Sequence, residues 1–397
     1  MNVTPADIAA EARAFLDAHA KPKAEVETRA VDVLRAATVF PEKSLAEDLE
    51  ELRAARAWRQ ALFDAGLGWI TGPVEYGGRG LTGAHQRAYD DVERDYDTPR
   101  QTLFGIALGM VAPTILAHGS PHAKHTYLRS LWRGDLNACQ LFSEPGAGSD
   151  IAGLSTRAVH DGDEWVVTGQ KVWTSVAHVA DIGMVLTRTN PDAPKHKGLT
   201  MFLIDMKAPG VEVRPLRQMT GGASFNEVFL DGVRTPDTLR LGDVDAGWTV
   251  ALTTLMNERM AGGEFNRMSS TDRLVALARH LGVDRDPAIR QRIAQVHIHH
   301  TVARLNAQRA RAKLRAGQVP GPEMSIGKLA ATENMRLVGD TVSAILGPRL
   351  VAEADADLFT WATYVLSTPG MRVAGGTDEI QRNIVGERVL GLPRDPS

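Results

Sequence analysis

Residues 165–175 read Trp165-Val166-Val167-Thr168-Gly169-Gln170-Lys171-Val172-Trp173-Thr174-Ser175. Two short β-favouring runs, Trp165–Val167 and Lys171–Trp173, stand in a chain whose flanks both follow the helical period, and that change of period decides the fold. Similar runs recur at Met184-Val185-Leu186, from Leu199 to Asp205, at Val211-Glu212-Val213 and from Asn226 to Leu230. Asp161-Gly162-Asp163, Asn190-Pro191-Asp192 and Pro209-Gly210 divide them with turn chemistry. Many short strands with no helix between them predict a compact barrel or sandwich rather than a parallel α/β sheet.

Upstream, Ile8, Ala12, Phe15 and Leu16 recur at helical spacing, as do Leu49, Leu52, Trp58 and Leu62, with loops expected at Pro41, Gly72-Pro73 and Gly77–Gly83. Downstream of Gly247, one helical stripe holds Trp248, Leu252, Leu255, Met256 and Arg259, and Ile293, Val296, Val302 and Leu305 begin a second long segment. A soft break is expected around Gly282 and Pro287, with firmer ones at Pro320-Gly321-Pro322 and Pro369-Gly370. Helices of this length joined by short loops pack as a bundle. The expected order is α, β, α, divided at 1–135, 136–245 and 246–397, an α+β multidomain chain.

Composition narrows the function classes. The 397 residues allow two to four units at roughly 100–200 residues per domain. Lys and Arg total 45 against 48 Asp and Glu, a net charge of −3, and 43 % of the chain is hydrophobic, which excludes a disordered acidic tail and a strongly basic nucleic-acid binder. Cys139 is the single cysteine, so no internal disulfide forms. No apolar stretch reaches the roughly 18–20 residues of a membrane span, and the N-terminus lacks the basic start and apolar run of a signal peptide. A cytoplasmic protein is expected.

Several motifs compete for a chemical role. Gly78-Arg79-Gly80-Leu81-Thr82-Gly83 has dinucleotide-fingerprint spacing, but Gly72-Pro73-Val74-Glu75-Tyr76 before it is a poor strand, and it reads as a loop between helices. His297, His299 and His300 have no Glu three places before them, and read as a helix face, not a metal site. From Arg290 to Arg315 seven basic residues occur without an acid, which suits a solvated face, a subunit contact or a phosphorylated ligand. Ser143-Glu144-Pro145-Gly146-Ala147-Gly148-Ser149-Asp150 reads either as an anion-accepting loop or as a plain surface turn. Trp173 is either core or a flat ring for stacking. In Gly375-Gly376-Thr377-Asp378-Glu379-Ile380-Gln381-Arg382, Thr377 caps a helix, with or without a ligand oxygen on the freed N–H groups.

Taken in order, these segments resemble the acyl-CoA dehydrogenase family of flavoproteins. The resemblance covers nearly the whole chain. It rests on Pro73–Gly78, on Gln140–Asp150, on Gly169–Ser175, and on Gly376-Thr377-Asp378-Glu379-Ile380-Gln381-Arg382-Asn383-Ile384 running to Leu390-Gly391-Leu392-Pro393. It implies an N-terminal α-helical domain, a middle β-barrel and a C-terminal four-helix bundle. It also implies an FAD enzyme that converts an acyl-CoA thioester to its trans-2-enoyl product, with the α hydrogen leaving as a proton and the β hydrogen as hydride to flavin N5. Enolate charge on the thioester oxygen would be stabilised by a ribityl hydroxyl and a backbone N–H.

Site residues follow position by position. Many members carry the catalytic base just before the Gly-Thr of the last motif, where this chain has Gly375. Others, resembling isovaleryl-CoA and long-chain acyl-CoA dehydrogenases, carry it in a Glu-Arg pair on the first bundle helix, which here is Glu258-Arg259. The resemblance therefore implies Glu258 as base and Arg259 as a brace of the substrate pocket. Gln140, Phe142, Ser143 and Ser149 would line the flavin, with Ser149 also towards substrate. Trp173 and Ser175 would sit near its ring, Gly376, Thr377 and Glu379 near its ribityl or phosphate end, and the Gly375 amide near the thioester oxygen. The family's cross-subunit motifs are altered here to Arg279-His280-Leu281-Gly282 and Ala344-Ile345-Leu346-Gly347-Pro348, with Arg279 as a replacement cofactor contact. Expected partners are an acyl-CoA, an electron-transfer flavoprotein as acceptor, and further subunits in a homodimer, homotetramer or heteromer. The alternatives are a cofactor-binding partner subunit of a heteromeric dehydrogenase, or a flavin monooxygenase or oxidase on the same fold.

Overall fold

The computed structural model describes residues 3–23, 34–36, 43–261, 271–315, 321–352 and 356–394, without the side chains at 259–261, 311, 314–315 and 356–357. Pro41 and Pro320, expected in loops, fall outside the described residues. The chain divides into two compact units: Met1–Glu27, Lys43–Arg217 and Ala223–Glu258 form one, and Thr28–Glu42, Gln218–Gly222 and Arg259–Ser397 the other.

The first unit opens with helices α1 (Pro5–His19), α2 (Leu45–Asp64) and α3 (Gly83–Glu93). Thr4 with Asp7 and Ser44 with Glu47 form capping boxes that satisfy the first amides of α1 and α2. Ile8, Ala12, Phe15 and Leu16 of α1 bury against Trp58 and Leu62 of α2 and Tyr89 and Val92 of α3, as the helical spacing requires. Leu49 is the exception, 40 % exposed. A two-residue ribbon, β1 (Lys21–Pro22) with β2 (Tyr96–Asp97), ties this layer together. Helices α4 (Ala112–His118) and α5 (Pro121–Arg133) follow; α5 starts on the Ser120 cap and stops at Gly134 in the left-handed region.

Eight strands form one sheet: β3 (Ala138–Leu141), β4 (Arg157–Asp161), β5 (Glu164–Ser175), β6 (Ile182–Arg188), β7 (Leu199–Asp205), β8 (Val211–Leu216), β9 (Phe225–Pro236) and β10 (Arg240–Leu241). The order is β10-β7-β6-β4-β5-β9-β8, with β3 parallel to β6. Each expected β run lies in a strand; the Asn190–Asp192 and Pro209–Gly210 turns fall between strands, and Asp161 ends β4 with Gly162 and Asp163 turning into β5. Alternation sorts the side chains into two cores. Ala138, Met184, Leu186, Met201 and Leu203 pack on α4, α5 and the start of α6, through residues such as Ile115, Leu128 and Val250. Cys139, Leu141, Val185, Phe202 and Ile204 face Trp165, Val167, Val228 and Leu230 across the sheet's interior. Both faces of β6 and β7 are thus buried, which is why apolar residues run on without alternation at Ile182–Leu186 and Met201–Ile204.

Helix α6 (Gly247–Ala261) keeps part of the expected stripe, since Trp248 and Leu255 pack on the core, and corrects the rest. Among its described side chains Val250, Ala251 and Thr254 are buried, whereas Leu252 is 50 % and Met256 45 % exposed. Its small-residue face is fixed to α4 by hydroxyls: Thr114 Oγ1 lies 3.0 Å from Thr254 Oγ1 and His118 Nε2 2.8 Å from Thr253 Oγ1.

The second unit contains α7 (Thr271–His280), α8 (Pro287–Arg315), α9 (Met324–Leu346), α10 (Ala356–Val373) and the short α11 (Asp378–Ile384). Leu274, Leu277, Val296, Val338, Val342, Trp361 and Tyr364 form its core. The break near Gly282 and Pro287 separates α7 from α8 as expected. On α8, Val302 and Leu305 are about half exposed, so only part of that stripe is core. The expected break at Pro369-Gly370 is absent, because Pro369 lies inside α10. Pro369 has no N–H to offer Val365, and the Thr368 hydroxyl donates to the Val365 carbonyl instead, at 2.9 Å.

Candidate active site

The loop after β3 is held by a buried ion pair. Lys171 Nζ lies 2.9 Å from Glu144 Oε1 and donates to the Phe142 carbonyl at 3.1 Å. Glu144 accepts further bonds from the Ser155 amide and hydroxyl, both at 2.7 Å, and from the Thr156 amide at 2.9 Å. One carboxylate thus pins both ends of segment 142–156 to β5. Burial raises the Glu144 pKa, but the Lys171 charge and the hydrogen bonds outweigh it and hold the carboxyl at about 2. On Lys171 burial prevails and brings the ammonium down to about 8. Both groups are ionised at neutral pH. Gly169 permits this packing, since a Cβ there would come within 2.3 Å of Thr156 Oγ1.

A β-bulge does the rest. In the β5–β9 ladder Lys171 pairs with Val228 and Thr174 with Asn226, so Val172 and Trp173 together oppose one residue. The freed Val172 amide donates to the Ser143 carbonyl at 2.8 Å. Trp173 takes φ +61° and turns its ring outward, 61 % exposed, edge-on to Phe225. This resolves its two readings: Trp173 is not core.

Between these anchors the loop closes on itself, with Glu144 and Ala147 exchanging backbone hydrogen bonds at 3.0 and 3.1 Å. The amides of Gly146, Gly148 and Ser149 have no partner among the described residues. A Cβ on Gly146 or Gly148 would meet no atom within 4 Å. Open space, unpaired donors and an exposed indole one residue beyond the Val172–Ser143 bond fit a flat, anionic cofactor such as FAD. Phe142 is buried, Gln140, Ser143 and Ser175 are half-buried, and Ser149 is exposed. All six expected cofactor residues of this unit therefore lie on β3, its following loop and the end of β5. Cys139 is fully buried beneath them, its thiol pushed up to about 12 by desolvation.

Glu258 belongs to the same unit, near the end of α6 and one turn beyond Thr254, and is half-exposed. The Arg259 side chain lies outside the described residues.

The remaining expected residues belong to the second unit. Arg279 is exposed at the end of α7. Gly375 and Gly376 follow α10 at φ +65° and +85°, and Thr377 caps α11 by accepting from the Ile380 amide at 3.2 Å. Glu379 is exposed. Motif reading left Asp378 and Gln381 without roles, yet both are buried beneath this turn. Asp378 accepts from Arg372 Nε at 2.7 Å and Thr332 Oγ1 at 2.8 Å, with Lys328 Nζ at 3.6 Å. Burial raises its pKa, but these partners outweigh that and hold it below the usual carboxylate range. The Glu144–Lys171 pair was likewise without a role. Its signal is a lysine among apolar residues at an inward strand position, which must find a counter-charge.

Fold and site together define a class. The chain belongs to the acyl-CoA dehydrogenase family of flavoprotein oxidoreductases: the family's N-terminal domain matches residues 5–135, its middle domain 139–233 and its C-terminal domain 245–390. Acyl-CoA dehydrogenase IpdE1 of Mycobacterium tuberculosis is 38 % identical over 351 residues, 87 % of this chain and 90 % of that protein. Among solved structures, a chain of the Tcur3481–Tcur3483 steroid ACAD is 27 % identical with a TM-score of 0.75, covering 98 % of this chain and 98 % of that one. A chain of the ChsE4–ChsE5 complex from Mycobacterium tuberculosis is 26 % identical with a TM-score of 0.72, each covered completely. Among the described residues no helix is long and apolar enough to cross a membrane.

Proposed function

We propose that this chain catalyses FAD-dependent α,β-dehydrogenation of an acyl-CoA thioester, with Glu258 as the general base. The observation that carries the reading is the half-exposed Glu258 on a helix anchored to α4, together with a glycine, Gly375, at the alternative base position. Bound FAD would supply the hydride acceptor. Glu258 takes the α proton, and the Gly375 amide donates to the thioester oxygen as negative charge builds there. Gln140, Phe142, Ser143, Ser149, Trp173 and Ser175 hold the cofactor's ring side. Gly376, Thr377, Glu379 and Arg279 hold its polar end, and Arg259 and Ser149 face the substrate. The division at 135 and 245 belongs to the same proposal, as does an electron-transfer flavoprotein as acceptor.

A second reading is a heteromer in which this chain pairs with a different subunit. The altered Arg279–Gly282 and Ala344–Pro348 stretches favour it, as does the similarity to a chain of the ChsE4–ChsE5 complex. The test of the main reading is to purify the chain alone, record its flavin absorbance, and screen acyl-CoAs, ring-bearing ones included, by anaerobic bleaching. A yellow protein bleached by one acyl-CoA class supports the dehydrogenase. A colourless product that turns yellow only with a co-expressed partner supports the heteromer, and rapid oxygen consumption without another acceptor would indicate an oxidase.

A further inference from the structure

The turn from Ala374 to Thr377 has two successive glycines at positive φ, the most permissive backbone a chain can have. Its own residues therefore cannot hold the Gly375 amide in one direction. A donor aimed at a developing oxyanion contributes only if it is fixed before the reaction, so neighbouring groups must supply the rigidity.

Two groups do so. Gln381, 1 % exposed, donates through Nε2 to the Gly375 carbonyl at 3.1 Å and lies 3.5 Å from that of Gly376. Its Oε1 has no partner among the described residues, so the side chain's hydrogen bonding there is directed at the turn. Gln381 also packs on Gly376, where a Cβ would come within 2.6 Å of Nε2. Asp378, 3 % exposed, closes the turn from outside: its bond to Arg372 spans the residues from the last turn of α10 to the first of α11, while Thr332 ties it to α9. With the Gly375 and Gly376 carbonyls held from below, the amides of the same two peptide planes, Gly376 and Thr377, point the opposite way, and the Gly375 amide lies one residue upstream of the held plane; none of the three has a partner among the described residues.

We infer that Asp378 and Gln381 are positioning residues for the reaction, fixing the Gly375 amide as the donor to the thioester oxygen without touching substrate themselves. The inference rests on the dehydrogenase reading for the amide's role. The clamp itself can be tested without substrate.

The experiment compares holoenzyme with Asp378→Asn, Gln381→Glu and Arg372→Gln, the last of which breaks the same ion pair from its solvent side. Hydrogen exchange of the hydrogen-bonded amides that border the turn, Ala374, Ile380 and Gln381, should rise about tenfold in the variants while the α9 core around Met335 is unchanged. With the acyl-CoA that bleaches the wild type best, kcat should fall about 10- to 100-fold, with KM within about threefold. Unchanged exchange in all variants overturns the clamp, and raised exchange with unchanged kcat overturns the positioning role. If no acyl-CoA bleaches the wild type, the dehydrogenase reading and with it the Gly375 role fail, while exchange still decides whether the turn is clamped.

Discussion

Lys171 Nζ and Glu144 Oε1 are 2.9 Å apart, with the two side chains 0 % and 5 % exposed. The pair joins β5 to the loop that offers Gly146, Gly148 and Ser149 amides, so loss of either charge acts on the fold and on the loop together. Glu144→Gln is expected to destabilise the protein by about 3 kcal/mol, the size of a broken buried pair. The pH dependence has a definite sign. Glu144 is ionised more easily folded than unfolded, so its contribution is present above its ordinary value of 4.5 and is lost as pH falls towards about 2. Denaturant unfolding of wild type and variant from pH 7 to 3 should show the gap closing below pH 4.5; a constant gap would contradict the assignment.

Glu258→Gln should keep FAD bound and abolish substrate-dependent flavin bleaching, since the amide cannot accept the α proton. Stopped-flow absorbance near the flavin maximum checks this. Near-wild-type reduction would remove Glu258 from the base role.

Trp173 combines an exposed ring with a left-handed backbone. Trp173→Gly is therefore expected to stabilise the protein by up to about 1 kcal/mol, by relieving the positive φ, while weakening cofactor binding. Thermal unfolding of the apoprotein and FAD titration read the two effects separately. A variant equally tight for FAD would show that the ring does no stacking.

Thr114 and Thr254 are fully buried and hydrogen-bonded to each other. Thr254→Val should cost about 1 kcal/mol by stranding part of the Thr114 hydroxyl's bonding, and adding Thr114→Val should restore some of it. Because α6 carries Glu258, the single variant should also lower kcat more than it raises KM. Additive losses in the double-mutant cycle would show that the two hydroxyls are not coupled.

Much of this was legible in residue order. The period change at Trp165–Ser175 located the sheet, turn residues such as Asp161–Asp163 and Pro209-Gly210 located boundaries within it, and the last motif pointed to the family. Two of the readings that failed have definite physical reasons, and a third was left open. Periodicity found a stripe on α6 containing Leu252 and Met256 but could not tell which face meets α4, where small residues and hydroxyls allow closer approach. Pro369 looked like a stop because its missing N–H was visible in sequence, while the Thr368 hydroxyl that replaces it acts only in helical geometry. Trp173 was open between core and stacking until the bulge turned its ring outward.

Sequence alone determined the α, β, α order, the family, and the presence of Glu258 with a glycine at position 375, because local propensity and motif spacing are properties of neighbouring residues. Only the tertiary structure decided that Glu144 and Lys171, 27 positions apart, share one buried contact, and that Asp378 and Gln381 hold the Gly375 turn from beneath. Burial makes those polar groups costly unless they are paired, and the identity of the partner is set by packing, which no local pattern encodes.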